Sequence, residues 1–570
     1  MSTPQTVLVW DIETNVGDPL PTEIHLVVTR DLQTNEVNVF RSDQLDQAVD
    51  HLNSADVLVG HNSIMFDTVV TEHLTGRKIT PKQLDTVLMS RVLWPDREDH
   101  IAGGNSLADW GQYLGYPKDE YAQWCKDNGL DPWAEWRQEM QDYCIQDTQV
   151  SAALYRFLAP RAADIRQAVR LEHDVAWAIN KQIATGFGYD LDSAIQLEQD
   201  ITTEKDDLTA QLREIFPDKV EPLRFHKTTG KPLQQKVEVF NPGSRQQIAE
   251  RMRETYGWQP SEFTEKSGAA KINEDILGTI DNPAAPLLER WFILKKRQEQ
   301  LTKWFQYCHE GAIHGGVITN GTVSGRMSHQ RPNLAQVPRH PKPYGAEIRA
   351  LFRPAPGYVY QVGIDAAALE LRMLAHYMAH WDDGEYARKV LESDIHTANQ
   401  MAAGLETRDD AKTFIFALIY GAGDAKIGRD FAQGSARAGK KLKESFYEAN
   451  PAFKSLRDAI AFQVKKNKGL VGLDGRFLPI RSAHKAMNQL LQSAGAVLMK
   501  QALVLMNERM PDDASFMANI HDEWQMCCKT EPDRLGQLAA DSIREAGELL
   551  NLKIPMEGKY MVGNNWGECH

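Results

Sequence analysis

The octapeptide VLVWDIET at residues 7–14 constrains the chain more than any other stretch. Its branched and aromatic apolar residues predict a strand. Successive side chains of a strand point to opposite faces, so Asp11 and Glu13 share one face while Trp10 and Ile12 share the other. Downstream, GHNSIMFDT (60–68) and YCIQDT (143–148) supply Asp67, Tyr143 and Asp147. Each acid taken alone also reads as a surface residue or a helix cap. Brought together, four carboxylates repel strongly in a low-dielectric site unless cations neutralise them. Magnesium or manganese, both hard divalent ions, suits an all-oxygen ligand set. Two such ions activate a water and stabilise the leaving oxygen of a phosphodiester. Tyr143 precedes Asp147 by one helical turn and shares its face, so it is placed to orient the attacking water.

The chain has 570 residues, too many for one ordinary core, so several subdomains are expected. Hydrophobic residues make up 42% and charged residues 25%, a globular balance. No apolar run approaches the ~20 residues of a membrane span. A strand that begins almost at residue 1 leaves no room for a leader peptide, which predicts a cytoplasmic protein. Six cysteines with no CxxC pair read as reduced thiols. The net charge of −14 argues weakly against a nucleic-acid partner, but a total says nothing about distribution. Residues 1 to about 160 alternate short apolar runs with helical stretches, and the chain then turns helical, with strand signals returning over about 311–390.

A second constellation lies in the C-terminal half. GIDAAALELR (363–372) reads as a strand end followed by a helix start, and ANIHDEWQM (518–526) as a strand pair around His521, Asp522 and Glu523. RDDAKTFIFALIYGAG (408–423) reads as a helix. On it Arg408, Lys412, Phe416 and Tyr420 are spaced by four and form a slanted stripe on one face. Two cations followed by two aromatics suit a nucleotide laid along that face. The bland alternative is a basic end running into a core end. Asp365 and Asp522 each end or turn an apolar strand, where a buried acid needs a partner. On adjacent strands they hold two divalent ions; taken alone, Asp365 also reads as a helix N-cap.

The D-x-E, N-x3-F-D and Y-x3-D set resembles the DEDD-type 3′–5′ exonuclease in its tyrosine variant. DAAALELR, R-x3-K-x3-F-x3-YG and HDE resemble motifs A, B and C of family-A DNA polymerases, and GTVSGRMS…PNLAQVP resembles the segment before motif A. Within that family the chain looks most like the phage T-seven type of replicative enzyme. The resemblance implies a mixed α/β and α+β multidomain fold, a ribonuclease-H-like exonuclease domain followed by a right-hand polymerase. The expected domains are the exonuclease at 1–165, thumb and connecting helices at 166–310, palm at 311–390, fingers at 391–470 and the rest of the palm at 471–570.

What the resemblance implies for single residues is specific. Asp365 and Asp522, with the Ala366 carbonyl, would bind the catalytic magnesium ions, two per site, with manganese as a substitute. His396, Arg408 and Lys412 would contact the triphosphate, and Phe416 and Tyr420 would border the sugar and the nascent pair. Glu370 would block a ribose 2′-hydroxyl. Arg326, Asn488, Gln492 and His521 would meet DNA near the primer end. Asn488 and Gln492, four apart on one helix face, also read as solvated amides. Ala367 and Ala368 replace the polar residues common after the motif A aspartate, and Trp524 replaces a smaller aliphatic residue. The runs KKR (295–297), KKLK (440–443) and KKNK (465–468) either line a DNA groove or solvate a face. Residues 170–310 read as too short and too regular for a segment that grips thioredoxin, so thioredoxin is not an expected partner.

The expected activity is DNA synthesis with proofreading by a monomer on primer-template DNA and dNTPs. A phage helicase-primase and a single-stranded-DNA-binding protein are partners that setting admits. Three rivals stand beside it. An RNA polymerase would lack the editing set and Glu370. A nuclease fused to a dead polymerase would have lost Asp365, Lys412 or Asp522. A scaffold would have no use for two carboxylate clusters.

Overall fold

The computed structural model describes residues 5–17, 20–97, 103–117, 120–220, 225–226, 228–232, 236–265, 267–392, 394–432 and 434–569. The opening octapeptide is the strand Val7–Thr14, the middle of a five-stranded sheet. It pairs antiparallel with Ile24–Asp31 and parallel with Val57–Gly60; Val37–Arg41 and Lys82–Asp85 form the edges. Leu8, Trp10 and Ile12 are buried together beneath Val49, Leu52 and Val70. That apolar face fixes the register, because a slip of one residue would turn Asp11 and Glu13 into the core. The helix Gln138–Arg161 lies across the sheet and carries Tyr143, Cys144 and Asp147.

The C-terminal half is built on a second sheet, in the order Ala514–Ile520, Glu523–Cys528, Tyr360–Ala366 and Gly558–Gly563, all antiparallel. The helices Leu369–Asp382, Ala486–Arg509 and Pro532–Leu549 pack with this sheet around the largest core. Five helices between Ile395 and Asn467 pack on one another and extend the same core, with Pro451–Asn467 lying against Leu369–Asp382. Two long helices, Leu191–Ile215 and Ala284–Phe305, pair along their length over a second core, which also takes in Phe352, Met517 and Trp566.

The helix Arg166–Thr185 joins the halves and buries both sides. His173 Nδ1 donates to the Val169 carbonyl, so its Nε2 accepts from the Asp85 N–H at 2.8 Å beneath the first sheet. Its neighbour Glu172 is fully buried on the other side. There it accepts from Arg476 Nη2 at 2.8 Å and Lys500 Nζ at 2.6 Å, and Arg476 also donates to Asp474 at 2.6 Å. Two acids thus balance two cations inside the protein.

Several expectations change. Asp365 lies inside the strand Tyr360–Ala366 and is not the N-cap of the helix, which starts at Leu369, after Ala368 at φ 50°. The motif B helix runs only Arg408–Ile419, and Tyr420 terminates it. The segment between Ile215 and Ala284 is not regular: among the described residues it holds the helices Arg245–Tyr256 and Glu274–Leu277 and short hairpin pairings. Arg297 of the KKR run is buried, donating to the Pro343 carbonyl and Gln300. Lys443 of KKLK is spent on Asp424 at 2.8 Å. Lys465, Lys466 and Lys468 stay exposed. Trp524 has a structural account: it is buried on the strand Glu523–Cys528, edge-on to Phe516 at 5.6 Å.

Candidate functional site

The first acidic cluster forms where strand and helix meet. One ligating atom each from Asp11, Glu13 and Cys144 lies within 4.8 Å of the others. Asp67 opens the helix Asp67–Thr75 and accepts from the Ile12 N–H at 3.1 Å, which brings it between Asp11 and Glu13 along the chain. Burial pushes the Asp67 carboxyl up to about 7, and the charges of Asp85 and Asp147 add to the rise. Asp147 is buried one turn beyond Tyr143, whose ring leans on Tyr121 at 5.6 Å. The structure thus gathers Asp11, Glu13, Asp67 and Asp147, with Tyr143 on the adjoining turn. A member that sequence reasoning missed is Cys144. Its thiol donates to Asp11 Oδ2 at 3.4 Å, and burial, then Asp11 and Glu13, push it well above the usual thiol range. The i, i+3 spacing of Cys144 and Asp147 was the available signal.

The second cluster forms at the end of the C-terminal sheet. Asp365 pairs in register with Glu523, and the Ala366 N–H donates to the Asp522 carbonyl at 3.0 Å. Asp365, Ala366 and Asp522 are therefore neighbours on adjacent strands. The turn is made by His521 at φ 61°, which leaves its ring exposed beside Asp522. Glu523, not singled out by sequence, is buried and accepts from Trp566 Nε1 and from Gln525 Nε2 at 2.7 Å. It ties the C-terminal NWGEC segment (565–569) to the strand beneath the two aspartates.

Above these acids the Tyr420 hydroxyl donates to Glu370 at 3.1 Å, and Arg326 pairs with Glu370 at 3.5 Å. Burial, then Glu370 and Asp522, push the Tyr420 phenol up to about 12, so it stays a donor. Phe416 is half-buried and stacks on Tyr420 at 6.3 Å between ring centres. Two turns earlier, Arg408, exposed Lys412 and His396 lie together: burial first, then the positive charges of Arg408 and Lys412, hold His396 below its usual range. Arg408 is not free, because it pairs with Asp394, whose carboxyl it pulls down to about 2. Sequence reasoning missed Asp394, the N-cap of Ile395–Ala403. Asn488 and Gln492 are half-buried near the start of Ala486–Arg509, and Asn488 Oδ1 has no partner among the described residues.

The ligand sets are all oxygen from carboxylates and backbone, apart from one thiol, and Asp67, raised by burial and then by its neighbouring acids, is a carboxyl whose ionised form a divalent cation favours.

Residues 223–568 match the family DNA polymerase family A. The chain is 32% identical to the DNA-directed DNA polymerase of Enterobacteria phage T3, over 99% of this chain and 100% of that protein. It is equally similar, at 32% over the same shares, to the DNA-directed DNA polymerase of Escherichia phage T7. Among solved structures it resembles the POL domain of Pol1 from M. smegmatis, in complex with DNA primer-template and dNTP. That likeness has a TM-score of 0.80 over 100% of this chain and 97% of that one, at 16% identity, and speaks for the fold. A family match over more than half the chain, with phage relatives aligned along nearly all of it, makes this chain a member of DNA polymerase family A, a DNA-directed DNA polymerase that uses divalent metal ions.

Proposed function

We propose that the chain carries two separate catalytic centres: a polymerase centre at Asp365 and Asp522, and a 3′–5′ proofreading exonuclease at Asp11, Glu13, Asp67 and Asp147. The observation that carries this reading is the presence of two acid clusters on two different sheets, each at a strand end. When bound, magnesium, with manganese as a substitute, supplies each centre with a hard Lewis acid that favours the ionised oxygen nucleophile and the departing oxyanion. Asp365, Asp522 and the Ala366 carbonyl would hold it in one centre, and the four acids of the first sheet in the other.

In the polymerase centre Lys412, His396 and Arg408 hold the triphosphate, and Arg408 exchanges Asp394 for a phosphate as it does so. Phe416 and Tyr420 flank the incoming sugar and base. Glu370, fixed by Tyr420 and Arg326, fills the space a ribose 2′-hydroxyl would need. Arg326, Asn488, Gln492 and His521 meet the primer end, where the minor-groove acceptors common to all correct pairs report geometry without sequence. The primer 3′-oxygen forms a bond to the α-phosphorus while the bond to pyrophosphate breaks. In the exonuclease centre Tyr143 orients a water toward the terminal phosphodiester. The expected domain divisions at 165, 310, 390 and 470 belong to this reading, as does work in the cytoplasm of an infected bacterium beside a helicase and a single-stranded-DNA-binding protein.

The test is a labelled hairpin primer incubated with dNTPs, rNTPs or neither. Asp11→Ala with Glu13→Ala is expected to abolish 3′ degradation and spare extension; Asp365→Ala or Asp522→Ala is expected to do the reverse. An Asp11/Glu13 double variant that loses extension as completely as degradation defeats the two-centre reading.

A further inference from the structure

Arg476 lies in the turn between the strands Gly469–Val471 and Phe477–Pro479, and three parts of the chain use its guanidinium. Nε and Nη2 donate to Asp474, in the same turn, at 3.0 and 2.6 Å. Nη2 also donates to Glu172, on the helix that joins the halves, at 2.8 Å. Nη1 faces the segment before motif A, where it donates to Asn320 Oδ1 at 3.4 Å. Arg476, Asp474, Glu172 and Asn320 are all buried.

The segment that Nη1 faces is a closed turn. The Gly321 N–H and the Thr322 hydroxyl both donate to the Arg326 carbonyl, at 3.2 and 3.3 Å, and the Gly325 N–H donates to the Thr322 carbonyl at 2.9 Å. Gly325 sits at φ 79°, and a Cβ there would come within 2.5 Å of Arg476 Nη1, so the turn rests directly on the guanidinium. The next residue is Arg326, whose Nη2 lies 3.5 Å from Glu370 Oε1, and Glu370 accepts from the Tyr420 hydroxyl. A chain of contacts thus runs from the buried charge cluster to the polymerase centre.

The cluster is more than a core requires. Apolar side chains of similar volume often hold elements together as well as a buried ion pair does. What they do not supply is direction. A guanidinium is planar and rigid, with donors along its edges. Once Asp474 and Glu172 hold two edges, the third has one orientation left. We propose that Arg476 is a positioning residue of the polymerase centre: clamped by Glu172 and Asp474, it seats the turn 320–326 and so aims Arg326 at Glu370 and at the primer end. The proposal rests on the reading of Arg326 as a primer-end contact. Aim of this kind matters to rate, because a misplacement of about 1 Å caused far from the chemistry can cost on the order of 10²-fold.

Four enzymes are compared in the exonuclease-silenced Asp11→Ala/Glu13→Ala background: the background itself, Arg476→Lys, Arg326→Ala and the two together. Each is given primers with a matched or a mismatched 3′ end, and kcat/KM for the next correct dNTP is measured on both. A loss of folded protein scales both values and leaves their ratio unchanged, so a merely structural role does not move it. Arg326→Ala is expected to lower the matched-to-mismatched ratio at least tenfold and Arg476→Lys at least fivefold. Together they are expected to do no more than Arg326→Ala alone, because Arg476 acts through Arg326. An Arg476→Lys ratio within twofold of the background overturns the proposal, as does a double variant that falls by the product of the two factors. If Arg326→Ala keeps the background ratio, the primer-end reading of Arg326 fails, and this proposal falls with it. If Arg476→Lys does not fold, Asn320→Ala, which removes the acceptor of Nη1, takes its place in the same cycle under the same criteria.

Discussion

Replacing Glu172 by glutamine tests the buried charge cluster that joins the halves. In the wild type one carboxylate oxygen accepts from Arg476 Nη2 at 2.8 Å and from Lys500 Nζ at 2.6 Å. Glutamine keeps the shape and a carbonyl acceptor but removes the charge, leaving two cations against Asp474 alone. Two losses add. A hydrogen bond to a charged group contributes about 1.5–3 kcal/mol, and the neutral carbonyl retains part of it. Lys500 has an escape, since it can release its proton. Burial already pushes its ammonium down to about 8 despite Glu172. At pH 7 the step to neutrality therefore spans one pH unit, on the order of 1 kcal/mol, and that caps the lysine's share. The sum is roughly 2–4 kcal/mol, near the ~3–5 kcal/mol for removing one member of a buried pair.

The pH dependence separates this from a simple misfit. Lys500 has a native pKa below its unfolded value, so between the two the unfolded chain binds more protons and stability rises with pH. In the wild type that window opens near pH 8. In Glu172→Gln it opens lower, so the variant's deficit shrinks by roughly 1 kcal/mol from pH 6 to pH 8. Urea denaturation followed by tryptophan fluorescence at several pH values reads both quantities. A deficit below about 1 kcal/mol, or one that is constant across pH, refutes the reasoning.

Other expectations follow from the same geometry. Asp67 has a native carboxyl raised to about 7, so metal-free protein loses stability as pH rises from the ordinary carboxylate range toward 7. Asp67→Asn is expected to raise the urea midpoint of metal-free protein at pH 8, and magnesium to stabilise the wild type more at pH 8 than at pH 6; a lower midpoint in Asp67→Asn contradicts this. Glu370→Ala frees Tyr420 and Arg326 and is expected to raise rNTP use relative to dNTP at least tenfold; single-nucleotide kinetics with unchanged selectivity remove that role. Phe416 offers no polar group to a dideoxynucleotide lacking its 3′-hydroxyl. An unmade polar contact of that kind discriminates on the order of 10²- to 10⁴-fold. Phe416→Tyr is therefore expected largely to erase the preference for dNTP over ddNTP, measured as the kcat/KM ratio in an exonuclease-silenced background.

What was legible in the sequence was whatever a single element carries. Asp11 and Glu13 declared themselves because strand alternation puts them on one face and Trp10 and Ile12 on the other, and the structure buries that second face. Asp365, Asp522 and the motif B stripe were legible for the same reason: each sits on one strand, turn or helix. Charges whose partners lie elsewhere in the chain were not. Arg297 looked like part of a basic surface run, yet a helix turns ~100° per residue and brings one member of KKR inward. Nothing local singles out Lys500 or Arg476, because their partner Glu172 lies some three hundred residues away. The join between the halves depends on that kind of residue. Glu172 and His173 are neighbours in sequence but about 100° apart around their helix. One enters the charge cluster of the C-terminal half, and the other holds the Asp85 N–H under the first sheet. Asp85 in turn accepts from the N–H groups of Asn62 and Ile64, in the loop that leads to Asp67. A single helical turn thus fixes the acid cluster of one half against the body of the other, a constraint that no local pattern records.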